Sequence, residues 1–160
     1  MTDKILLGVA HSDDPNEMEE VCRLIDAQNP SSLGLELTET YEMYKRPFTG
    51  EFFFYLERVY TKRGVCVVPL DSAKDNPGLK EVSSTEYIDR LLLSPTSHCE
   101  EDRVRFHDIV ARRDAVMLER ILAHQPDVVI LGIHHTRSLA PCLPHYRHKD
   151  FSEPYIWQDA

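Results

Sequence analysis

No Cys-x-x-Cys pair, no apolar run long enough to cross a bilayer and no excess of basic residues occurs in this 160-residue chain. Each absence excludes something. The four cysteines, Cys22, Cys66, Cys99 and Cys142, stand far apart, so neither a paired-cysteine metal site nor a redox dithiol is expected. Buried free thiols in a reducing compartment are the expectation. The apolar stretches fall well short of the ~20 residues that span a bilayer. A formal charge of −9 disfavours a nucleic-acid partner, which would call for a basic face. The first residues carry an acid rather than a basic leader and run straight into a strand, so the cytoplasm is the expected compartment. No low-complexity segment interrupts the chain, and no Gly-x-Ser-x-Gly nucleophile turn is present.

What is present is a set of short apolar runs that end in chemically capable side chains. Lys4–Leu7 leads into Gly8-Val9-Ala10-His11, and Asp127–Leu131 leads into Gly132-Ile133-His134-His135. Leu33-Gly34-Leu35-Glu36-Leu37 carries a carboxylate inside its run and is followed by Glu39. Val65–Leu70 ends at Asp71. Between these runs lie helical patterns: about 16–28, ended by Gln28-Asn29-Pro30; about 51–63, closed by Gly64; and about 100–124. A short helix is expected near 84–93, with loops over 39–50 and 71–80. The alternation predicts one α/β domain over 1–160, with a mostly parallel sheet of about four strands flanked by helices. The tail, 136–160, carries Pro141, Pro144 and Pro154 and is expected to be irregular.

In a parallel sheet the strand-end residues His11, Glu36, Asp71 and His135 converge on the carboxyl edge, where open α/β sheets bind ligands. On a strand running to 134, His134 faces away from His135. The long helix shows an i,i+4 ladder, Phe106–Val110–Asp114–Leu118–Leu122, that is apolar except for Asp114. Arg113 lies beside it in the row Ile109–Arg113–Met117. A buried Asp114 paired with an arginine is the expectation there. In the tail, Cys142-x-x-His145-x-x-His148 has metal-ligand spacing without the usual second pair.

Taken in order, Gly8–His11, Gly34–Leu37, Arg113-Asp114 with Met117, and Gly132–His135 resemble the TraB/PrgY/TIKI group, within a wider set that includes ChaN-like and erythromycin-esterase-like proteins. Arg112 stands where that group often has Glu. The resemblance implies an α/β fold. For TIKI members it implies divalent-metal-dependent proteolysis, for esterase-like relatives a His/Glu hydrolysis without metal, and for ChaN-like ones haem binding.

Three functions follow as expectations. The first is a metal-dependent hydrolase of peptide or amide bonds in a small peptide or small-molecule substrate. Two imidazoles and one carboxylate make an open catalytic metal site. His11, Glu36 and His135 are its candidate ligands for manganese, cobalt or zinc. Glu39 is the candidate general base, and Arg113 steadies an oxyanion or orients a carboxylate. The second drops the metal and lets His11 or His135 activate water directly. The third is a non-catalytic module in which Tyr41, Tyr44 and the histidines hold haem or a peptide. A homo-oligomer is compatible with all three.

Overall fold

A computed structural model of the chain describes residues 3–9, 15–37, 51–71 and 100–151. Strand β1, Lys4–Val9, is followed by helix α1, Pro15–Gln28, strand β2, Ser32–Leu35, and helix α2, Glu51–Lys62. Strand β3 is Cys66–Pro69, helix α3 is Glu100–His124 and strand β4 is Val128–Gly132. The chain then forms helix α4, Ile133–Leu139, a 3-10 turn, Ala140–Cys142, and strand β5, Tyr146–Asp150. Helix ends follow local chemistry: Asn29 takes a φ of 47° after α1, and Gly64 takes 81° after α2, the left-handed conformation that closes a helix.

The five strands form one parallel sheet in the order β3-β2-β4-β1-β5. Strand alternation divides the core in two. Ile5, Leu7 and Val9 join Leu33, Leu35, Val128 and Ile130 beneath α1 and α2 on one face. Leu6, Val129 and Leu131 meet Met117 and Ile121 of α3 and Leu139 of α4 on the other. From β1 the chain crosses over β4 to reach β2, and from β4 it crosses over β1 to reach β5. The two crossovers run in opposite directions on opposite faces, as right-handed connections require. That reversal between β4 and β1 is the kind of switch point at which doubly wound sheets open a crevice.

Four expectations are corrected. The sheet has five strands rather than about four. The fifth comes from the segment expected to be irregular, because Tyr146–Asp150 is an edge strand whose middle residues are exposed and need no apolar alternation. Residues 152–160 lie outside the described residues, as do the 39–50 loop, the stretch 72–80 and the 84–93 helix. β4 ends at Gly132, so His134 and His135 sit on α4 and not on a strand. The buried stripe of α3 is Asp114–Met117–Ile121, while Leu122 is 55% exposed. The helix is therefore turned toward the Arg113–Met117 row, and the side chains of Phe106 and Ile109 lie outside those described. Finally, Cys22 is only partly buried and Cys66 and Cys142 are exposed; Cys66 opens the edge strand β3.

Candidate functional site

Glu36 follows the last residue of β2. The Leu37 N–H donates to Leu35 O at 2.7 Å, a three-residue turn that ends the strand and leaves Glu36 on the face covered by α3 and α4. Asp71 stands just beyond β3, its N–H donating to Leu37 O and its own carbonyl accepting from Arg120 of α3. Arg113 and Asp114 come from α3, one turn before the core residue Met117. His135 comes from the first turn of α4. Glu36, Asp71, Asp114 and His135 are all under a tenth exposed.

These five side chains form one connected cluster. Arg113 donates Nε–H to Asp71 Oδ2 at 2.9 Å and places Nη2 2.8 Å from the same oxygen. Its Nη2 also faces Glu36 Oε2 at 3.6 Å. Burial works against the guanidinium charge, but Asp71 and then Glu36 outweigh it and hold the Arg113 pKa above its ordinary value. Glu36 Oε1 accepts the Gly132 N–H at 3.1 Å, which ties the carboxylate to the end of β4. His135 Nδ1 lies 2.6 Å from Asp114 Oδ1, and its Nε2 lies 3.5 Å from Glu36 Oε1.

Asp114 is thus buried and paired as expected, but with His135 and not with an arginine. The reason is the early end of β4. On a strand, His135 would stand about 10 Å beyond Gly132; on a helix it rises only about 4.5 Å and stays level with Asp114. Arg112, the departure from the TraB-like pattern, is exposed and pairs with Asp108 one turn back. His134 is exposed.

The His135 ring thus joins two carboxylates, Asp114 on the Nδ1 side and Glu36 on the Nε2 side. A ring nitrogen and a carboxylate oxygen this close are held together by a proton or a cation between them. Ligand atoms sharing one divalent cation at ~2.0–2.2 Å stand roughly 3.0–3.4 Å apart, close to the separation seen. Within the described residues Glu36 and His135 supply two donors of the kind divalent cations take, and Asp114 stands behind the imidazole as its hydrogen-bond partner.

Of the sequence-derived site residues, the structure brings Glu36, Arg113 and His135 together. His11 and Glu39 lie outside the described residues, as do Tyr41 and Tyr44. Among the described residues no group of three or more His, Cys, Asp or Glu side chains is arranged to hold one metal ion. His148 of the Cys142/His145/His148 motif contacts Asp150 instead. Asp71, expected at this edge, and Asp114, expected to be buried, complete the cluster without a ligating or catalytic role foreseen for either. The signals were a strand-end acid and an acid interrupting a helical ladder.

No helix among the described residues is long and apolar enough to cross a membrane. Comparison of the chain with protein-family models, with curated proteins and with solved structures found no match.

Proposed function

We propose that the chain is a divalent-metal-dependent hydrolase of peptide or amide bonds, with Glu36 and His135 as ligands in the cluster and His11, from the sequence reading, as the third. The observation that carries this is His135 Nε2 set 3.5 Å from Glu36 Oε1, with Nδ1 2.6 Å from Asp114. The order of the Gly-x-x-His units and the TraB/PrgY/TIKI resemblance support the same reading. When bound, manganese, cobalt or zinc supplies Lewis acidity toward a scissile carbonyl and acidifies water.

The protein's own groups have separable tasks. Asp114 fixes the tautomer and direction of His135. The Gly132 N–H and Arg113 hold the two oxygens of Glu36 in one orientation. Arg113 is itself committed to Asp71, so it acts as a carboxylate-orienting group and not as an oxyanion donor. Glu39 is the proposed general base, accepting a proton from the attacking water.

Calorimetric titration with manganese, cobalt and zinc, beside a hydrolysis panel of peptides, amides and esters, tests this. Wild-type protein should take up one equivalent of cation, and His135→Ala and Glu36→Gln should lose it together with hydrolysis. Glu39→Gln should keep the cation while turnover falls ~10²–10⁴-fold. Binding without hydrolysis of any panel member would point to a binding module. The Asp114–His135 pair also suits a general base without metal. Hydrolysis that survives chelation but not His135→Ala would establish that second reading.

A further inference from the structure

Helix α4, which carries His135, has little of its own to hold it in place. It is seven residues long and has no side-chain hydrogen bond capping its start. Helices this short do not persist without tertiary support. Part of that support is apolar, from Ile133 and Leu139. Beside the His135–Asp114 contact and the Thr136 hydroxyl's own contact with Ile133 O, a polar hold comes from one carboxylate at the end of β5. Asp150 Oδ1 lies 3.1 Å from the Thr136 hydroxyl and 2.6 Å from His148 Nε2, and Asp150 Oδ2 accepts from Arg137 Nε at 3.1 Å. Thr136 and Arg137 are the two residues immediately after His135, and Thr136 is fully buried.

The carboxylate is seated directly on the backbone of β1. A Cβ at Gly8 would collide with Asp150 Oδ1 and Thr136 Oγ1. Gly8 O also accepts the Phe151 N–H at 2.9 Å, which fixes the residue after Asp150 to the same point. The glycine of the first Gly-x-x-His unit therefore makes room for the grip on the helix that carries the histidine of the second.

We propose that Asp150, seated over Gly8, is a positioning residue for His135. By holding Thr136 and Arg137 it sets α4, and so the line from Asp114 through His135 to Glu36. This rests on the reading that His135 and Glu36 take a cation, and its test separates the two claims.

The experiment uses the full chain with ¹⁵N-labelled histidine. The Nδ1–H resonance of His135, identified by its loss in Asp114→Ala and His135→Gln, is followed in Asp150→Asn and Asp150→Ala. Manganese affinity is measured in parallel. The resonance should shift or broaden in both Asp150 variants, and manganese affinity should fall about tenfold, the lower end for loss of an outer partner. Gly8→Ala should reproduce the shift without altering the carboxylate; if it does not fold, the Asp150 variants decide. A folded Asp150→Asn and Asp150→Ala with an unmoved His135 resonance would overturn the proposal, since a merely structural role changes only the unfolding midpoint. If wild-type protein binds no manganese, the cation reading fails and the resonance alone decides the role of Asp150.

Discussion

Two aspartate–histidine pairs in this molecule close to the same 2.6 Å, yet they sit in different surroundings. Asp114–His135 joins α3 to α4 and is buried on both sides. Asp150–His148 spans two residues of one edge strand, and its histidine side chain is 29% exposed. The buried pair has its second imidazole nitrogen aimed at Glu36. The outer aspartate shares its charge with the half-exposed Arg137 and reaches the buried Thr136 hydroxyl. Equal distances therefore do not mean equal consequence: water screens the outer pair, while the inner one works in a medium where each unmatched charge is costly.

The sharpest way to break this contrast is to remove the cation that the inner cluster depends on. Arg113→Met leaves Glu36 and Asp71 buried without the guanidinium that faces both, and urea unfolding at pH 7 should show a loss of about 3–5 kcal/mol. A loss below ~1 kcal/mol would mean that water reaches the cluster as it reaches a surface pair. Next in size, Asp114→Ala should lower stability by about 1.5–3 kcal/mol, the range of a hydrogen bond to a charged group. His148→Gln, measured in the same way, should cost less than about 1 kcal/mol because its pair is partly exposed. An equal loss from the last two would erase the distinction between inner and outer pairs.

A further contrast is a matter of pH. Tyr146 donates its hydroxyl to Pro126 O at 2.8 Å, and burial, with Asp127 nearby, pushes its pKa up to about 12. The folded state thus favours the protonated phenol. Its contribution is complete below the unfolded pKa of ~10 and is lost as pH rises through about 12. Thermal melts across that window should fall more steeply for wild-type protein than for Tyr146→Phe. Parallel curves would show that Tyr146 titrates alike in both states.

The sequence made the central strands and the long helix legible. Apolar runs bounded by Gly, Asn and Pro mark β1, β2 and β4, and α3 spans the stretch its pattern outlines. Glu36 was legible as a carboxylate in an apolar run. Four things were not. The end of β4 was hidden because Ile133-His134-His135 suits a strand as well as a helix, and no capping side chain marks the change. β5 was hidden because an exposed edge strand of Arg, His and Lys carries no apolar signal. The partner of Asp114 was hidden because it depends on where β4 ends, a fact of tertiary geometry. The misjudged helix face has a simpler origin: Asp114 belongs to two i,i+4 and i,i+3 rows, and only packing against the sheet selects the one through Met117 and Ile121.

The place of β1 in the sheet has a consequence for how the chain reaches this state. Ile5 aligns with Val128 on one side and Lys4 with Tyr146 on the other. The first strand therefore finds both neighbours in the last part of the described chain. Loops this long must close before either pairing is rewarded, which places folding at the slow, high-contact-order end. During synthesis, Ile5-Leu6-Leu7 emerges long before its partners exist, as an apolar edge open to any other strand in reach. A nascent chain stalled before Val128 lacks both neighbours of β1, and it is in that interval that the protein is most exposed to aggregation.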